Sequence, residues 1–247
     1  MSNILHLLKI EWLKLNKYKA FIILVCLFAI SIFGINFIVC SFNPSTGKPN
    51  EPDIASMILG TPFQFPGVWN TVSYLSSFLL FIPGLIMILI MSNEFSFRTH
   101  RQNIIDGVSR SQFMNTKIAL ILIISLCLTV LVFITALLFG LAEGGSFTFN
   151  HSRYLLYFFV QSTLYMSVGL VFALIFKRSG ISIGIYFLYA FILENVLSAI
   201  LNKYFRPVGY LLPLDSADKL IPMPISLFKG LSQNIPDEKY LLLTSFI

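Results

Sequence analysis

The sequence predicts an all-α, polytopic integral membrane protein. Its expected form is a helical bundle of five full spans plus the start of a sixth, with an N-terminal interfacial helix. Three observations carry this reading. Hydrophobic residues make up 56% of the chain and charged residues only 11%, whereas a soluble domain carries about a quarter charged residues. Five apolar runs are each about 20 residues long, enough to cross the hydrocarbon of a bilayer. Ten of the 17 basic residues fall in three short segments, 1–19, 92–117 and 177–180, which lie on one side of the membrane if the runs alternate in direction.

Residues 1–19 form the first unit and 20–247 a single transmembrane domain, because no later stretch is polar enough to fold as a separate soluble body. In the first unit, Ile4, Leu8, Trp12 and Leu15 recur at helical spacing, with Lys9, Asn16 and Lys17 mostly elsewhere. That pattern suits a helix lying in the headgroup layer, with Trp12 at the interface; a basic flank that merely fixes topology is compatible with it. The first span, about 20–40, lacks a small-residue cleavage site and reads as a span, not a leader. Residues 41–70 carry Pro44, Gly47, Pro49, Pro52, Pro62 and Pro66, which oppose a long helix. Ser45-Thr46-Gly47-Lys48 lacks the first glycine of a phosphate-binding loop and has Pro49 where Ser or Thr is needed, which excludes that motif.

The second span, about 71–91, is interrupted by Pro83-Gly84, where the missing backbone donor predicts a kink. Spans follow at about 118–141, 154–176 and 181–201. The turn Lys177-Arg178-Ser179-Gly180 makes the last two antiparallel neighbours. Residues 202–239 read as a polar external segment, with an amphipathic stretch at 221–231 suited to dip back into the interface. Residues 240–247 begin another apolar run that eight residues cannot complete, so a sixth span is expected to continue past Ile247. The basic clusters place the N-terminus in the cytoplasm of a cell inner or plasma membrane. The net charge of +6 is explained by those loops, and no nucleic-acid partner is expected. Cys26, Cys40 and Cys127 match no metal-site spacing.

Between the second and third spans lies a polar, basic island, Asn93 to Thr116. It reads as helix, break, helix. Ile104, Ile105 and Val108 form a small apolar face, Asp106-Gly107 turns the chain, and Ser109 caps the next helix. Such an element, held on two spans, suits contact with a cytoplasmic partner. Within the spans Glu194 is the formally charged residue, with Asn195 beside it; it lies in the outer half of its span. An intramembrane acid is functional by default: it lines a path, pairs across a dimer seam or sits protonated, and the structural alternative is an acid snorkelling to the outer interface. Gly180-x-x-x-Gly184 gives the fifth span a smooth patch for close helix approach. Gln161 and Asn36 read as interhelical hydrogen-bonding groups.

The island resembles the stretch after the second span of type-2 ABC transporter permeases. The residues that carry the likeness are Glu94-Phe95-Ser96-Phe97-Arg98-Thr99, Arg101-Gln102-Asn103, and Gly107-Val108-Ser109-Arg110-Ser111-Gln112-Phe113 with Lys117. They follow a pattern of an acid, a small-polar pair and then Gly-x-Ser-Arg-x-x-Phe-x-x-x-Lys, departing at His100. The amphipathic N-terminus and the roughly six-span layout are similar to that family too. The resemblance implies that the island is a coupling helix docking on a separate cytoplasmic ABC ATPase, with Glu94, Arg98, Thr99, Arg101, Gly107, Ser109 and Arg110 as coupling residues. It implies two ATPase copies, a second permease chain that is identical or homologous, and contact with membrane lipid. ATP and Mg would sit on the partner, with no cofactor, metal or catalytic residue on this chain. The expected activity is export of an amphiphilic or peptide-like substrate, of the peptide-antibiotic export or immunity kind. Glu194, Asn195, Gly180 and Gly184 are then candidates for the translocation path or dimer seam.

Three other classes compete. A non-transport anchoring or regulatory subunit would keep the island but need no substrate path. An intramembrane enzyme needs convergent catalytic groups within the spans, whereas His6, His100 and His151 all lie outside them. A secondary transporter normally shows several intramembrane ionisable residues or internal repeats, and neither is evident.

Overall fold

The computed structural model describes residues 4–41, 62–105, 107–143, 146–204 and 212–224. Among these, all regular structure is helical. In chain order the helices are α1 (Ile4–Lys17), α2 (Lys19–Ser41), α3 (Val68–Ser77), α4 (Phe81–Ser96), α5 (Thr99–Ile105), α6 (Arg110–Ala142), α7 (Arg153–Phe176), α8 (Ser179–Leu188), α9 (Glu194–Tyr204) and α10 (Pro213–Asp218). A π-helical turn, Tyr189–Leu193, joins α8 to α9. Four stretches are long and apolar enough to cross a membrane: α2, α6, α7 and the run from Ser179 to Tyr204. The bent pair α3–α4 makes a fifth when counted as one span. Residues 240–247, where a sixth span was expected to begin, lie outside the described residues.

α7 is the hub. It packs most extensively on α4 and also touches α3, α6, α8 and α10. Phe158, Met166 and Ala173 on α7 are wholly buried, as are Met87 and Ile88 on α4. α2 and the 179–204 run form the periphery and turn apolar side chains outward, among them Ile30, Phe33, Phe37, Ile192, Val196 and Ile200. A bundle greasy on its outside as well as its inside is what lipid, not water, selects.

The second span breaks one turn earlier than the sequence suggests. α3 stops at Ser77, α4 starts at Phe81, and their axes bend by 47°. Pro83 is the third residue of the restarted helix, where its missing N–H is one of the donors a helix leaves unpaired in any case. Gly84 has a packing role. A Cβ on Gly84 would collide with the Tyr186 hydroxyl, and one on Gly169 of α7 would sit 2.5 Å from the Gly84 carbonyl oxygen. The two glycines let the backbones of α4 and α7 touch.

Two further expectations are corrected. The α1 face grouped from sequence splits: Leu15 is buried, while Trp12 is 56% exposed and Glu11 is turned inward. α1 therefore docks on the bundle through Glu11 and Leu15. The segment after α9 does not stay outside. Leu214, Ala217, Leu220 and Ile221 are buried, and α10 packs on α7 and α9. Its Asp218 meets α7 at Gln161 and Tyr165, eight and twelve residues from the start of α7 at Arg153, or roughly 12 and 18 Å along the axis. Residues 214–221 pack into the bundle because their apolar side chains need burial. Of the 221–231 stretch, only 221–224 is described, and it is not helical.

The α4–α7 contact yields a test. Gly169→Val should destabilise the purified protein by about 1–3 kcal/mol or more, because the obstacle is backbone. Gly34→Ala should leave the thermal midpoint unchanged, since a Cβ there meets nothing within 4 Å.

Candidate functional site

One end of the bundle gathers α1, the end of α4, α5 and the start of α6. α5 stands between two helices that it cannot leave. On its upstream side, α4 ends at Ser96 and the chain reverses through Arg98, which adopts φ 57. The Thr99 hydroxyl reaches back to the Glu94 carbonyl oxygen at 3.5 Å. On its downstream side, Gly107 takes φ 89, a conformation open to glycine at little cost, and the Val108 N–H donates to the Asn103 carbonyl oxygen at 3.0 Å. Ser109 then caps α6 in a reciprocal box: its hydroxyl accepts from the Gln112 N–H at 3.2 Å, and its own N–H donates to Gln112 Oε1 at 3.0 Å.

α6 continues without interruption from Arg110 to Ala142, roughly 50 Å at 1.5 Å per residue. Two turns in, Lys117 is fully buried. Its ammonium donates to Glu11 Oε2 on α1 and to Glu94 Oε1 on α4, both at 2.6 Å. Lys14 completes the group at 2.8 Å from Glu11 and 3.5 Å from Glu94. Phe113 lies one turn before Lys117, its ring 5.2 Å from the ammonium. Two carboxylates and two ammoniums thus form a neutral cluster joining α1, α4 and α6. Burial alone would raise the Glu11 carboxyl, but the Lys117 charge and the hydrogen bonds from Lys117 and Lys14 outweigh it and hold it below its usual 4.5. Burial would lower Lys14, and its bonds and charge contacts with Glu11 and Glu94 carry it above its usual 10.5.

The pattern read in the island therefore has a structural meaning at each described position. Gly107 makes the turn, Ser109 the cap, Phe113 the ring beneath the charge and Lys117 the buried lock. Glu94 points inward onto Lys117 and cannot itself meet an incoming partner. Arg98 and Arg110 are exposed. The small apolar face splits: Val108 is buried, whereas Ile105 is 83% exposed, and Phe97 before α5 is 76% exposed. Glu11 escaped the sequence reading, and Lys14 was counted only for topology. The available signal was that Glu11 is the lone acid among residues 1–19.

A second polar group lies deeper. Glu194 is 2% exposed and turned into the bundle. Its Oε1 accepts the N–H groups of Leu214 and Asp215 at 2.6 and 2.9 Å, so it fastens the start of α10. Ser198 donates to Asp215 at 2.8 Å, and Lys219 pairs with Asp215. Asp218 accepts from Gln161 at 2.7 Å and from the Tyr165 hydroxyl at 3.0 Å. Gln161 thus bonds between helices, as expected, whereas Asn36 donates to Ile32 of its own helix. Asn195 is exposed beside a cavity that Asp218 also lines. A Cβ on Gly180 or Gly184 would meet nothing within 4 Å, so that patch is open within this chain. The acids of α10 were missed because their segment read as external. Pro213 followed by Asp215 is the helix-start signal that marked them.

Residues 7–193 match the family described as ABC-2 family transporter protein. The chain belongs to that family. No curated protein and no solved structure matches it. Membership makes this ABC-2 protein a permease subunit of an ABC transporter, in a membrane and with an ABC ATPase as its implied partner. The matched residues include Glu11, Glu94, the whole of α5 and Lys117, and stop just before Glu194.

Lys117→Met should leave Glu11 and Glu94 with Lys14 as the one remaining ammonium of the cluster, so that one buried negative charge is uncompensated, and cost about 3–5 kcal/mol, read as a fall in the thermal midpoint of the purified protein. The pH dependence has a defined sign. Because Glu11 is held below its usual value, its contribution is complete above pH 4.5 and is lost as pH falls through the lowered value. The midpoint should hold steady from neutral pH to about 4.5 and fall below it, and Glu11→Gln should flatten that fall.

Proposed function

We propose that this permease exports an amphiphilic or peptide-like substrate, with α5 as the coupling helix that docks on a separate cytoplasmic ATPase. The observation that carries the reading is the mounting of α5. It is a short surface helix whose two flanking helices, α4 and α6, share one buried ammonium with α1. A push on α5 reaches three helices together. In this reading the docking face is Phe97 and Ile105, both largely exposed, together with the exposed Arg98 and Arg110; Arg101 is assigned to it from the sequence pattern. Apolar anchors with arginine at the rim are what protein interfaces favour. Glu94, Thr99, Gly107 and Ser109 hold the face in place. The N-terminus is cytoplasmic, ATP and Mg²⁺ sit on two ATPase copies, and a second permease chain covers the open face at Gly180 and Gly184.

The test is purification of the full-length protein in mild detergent and identification of what accompanies it. An ATPase should appear in near-equal amount and be lost when residues 98–110 are replaced by a neutral linker. Phe97→Ser with Ile105→Ser should cut its recovery at least about tenfold, since each anchor of this kind is worth about 2 kcal/mol. Retention of the ATPase at the wild-type level by both variants would overturn the docking assignment.

A further inference from the structure

Both breaks in the spanning helices face one cavity. The bend between α3 and α4 supplies Phe78 and Phe81, the π-helical turn supplies Phe191, and α3 adds Tyr74. Asp218 of the re-entrant α10 lines the same space, with Asn195 beside it. The cavity measures about 280 Å³, at the small end of ligand sites, which run roughly 300–1,000 Å³. It suits a residue-sized group better than a whole peptide. Phe78, Phe191 and Asn195 are exposed, so the mouth opens sideways on the bundle's flank.

We propose that this cavity holds a residue-sized cationic group of an amphiphile entering from the membrane, with Asp218 as its counter-ion and the four aromatic side chains as its walls. The charge pattern favours a cation. Asp218 is accessible, and among the described residues no lysine or arginine lines the cavity. The nearby Lys219 is paired with Asp215. A carboxylate at this depth is costly without compensation, and aromatic faces attract ammonium groups. Asp218 has room for a further donor: Oδ2 takes the Tyr165 hydroxyl, shared with Oδ1, while Gln161 donates to Oδ1. An organic cation fits better than a metal ion, because no three His, Cys, Asp or Glu among the described residues converge as ligands. A zwitterionic lipid headgroup fits worse, because its phosphate finds no cation among the described residues of the lining. The assignment names the substrate class for the export reading and rests on it, but its test is a binding measurement that needs no ATPase.

The probe is 2-phenylethylamine, an ammonium at neutral pH, titrated calorimetrically into the full chain in a neutral maltoside detergent. The comparison ligands are 2-phenylethanol and 3-phenylpropanoate. The ammonium should bind at least tenfold more tightly than the alcohol, and the carboxylate should not bind. Asp218→Asn should remove that preference. Phe191→Ala, at the exposed mouth and tolerant of truncation, should weaken the ammonium severalfold. Equal binding of ammonium and alcohol by the wild-type protein would overturn the proposal without recourse to any variant. So would an unchanged preference in Asp218→Asn, or displacement of the probe by phosphatidylethanolamine, which would assign the cavity to membrane lipid. Charge-selective binding by a chain that recovers no ATPase would sustain this site while rejecting the coupled-export reading.

Discussion

An ammonium with no exposure to solvent needs its charge cancelled where it stands. Lys117 meets that need with two carboxylates from two other helices, each at 2.6 Å. The energetic logic is that of a buried ion pair. Desolvating the charges costs several kcal/mol each, so the net stabilisation of the whole cluster is modest, but loss of any one member leaves a charge without compensation. The cluster therefore specifies arrangement more than it adds stability. It places α1 against α4 and α6 in one register, and it explains why α1 turns Glu11 inward and leaves Trp12 to the surroundings.

The rest of the fold follows from where backbones are allowed to touch. Gly84 and Gly169 bring α4 and α7 together, and in a membrane such close approach supplies the dispersion contact that hydrophobicity cannot. α4 must then start at a fixed point along α7, and the chain entering it bends at residues 78–80. Opposite that bend the last spanning run relaxes into a π-helical turn, and Glu194 at its end fastens α10. The cavity is the space these irregularities leave. Its acid comes from a segment that is not a spanning helix at all.

The parts legible in the sequence share a cause: they are local. Helix lengths follow from uninterrupted apolar runs, the cap at Ser109 from a serine three residues before Gln112, and the turn at Gly107 from a residue free to take positive φ. The parts that escaped depend on distant partners. Glu11 and Lys117 are 106 positions apart, and nothing in the local pattern of α1 shows that an acid in a basic helix has an ammonium waiting for it. Likewise the polarity of 202–239 argued for the outside, while the burial of Leu214, Ala217 and Leu220 shows that the described part, 212–224, packs into the bundle. Glu194 stood out as an acid within a span, but its partners are backbone N–H groups of a helix the sequence had placed elsewhere.

The two polar sites are joined by a single element. Phe81 at the start of α4 is in the cavity wall, and Glu94 near its end is in the charge cluster. Among the described residues no other helix contributes to both. Thirteen residues separate them, or roughly 20 Å of helix at 1.5 Å per residue. α4 is one uninterrupted helix between those points, pinned to α7 at Gly84. A helix held near its aromatic end by backbone contact at Gly84 and near its other end by ion pairs does not flex easily between them, so the cavity wall and the charge cluster are mounted on one rigid element. The bend at residues 78–80 lies just outside this rigid stretch, which leaves α3 free to stay in place while α4 moves. The cavity wall therefore includes the break itself, with Phe78 and Phe81 on either side of the 47° bend.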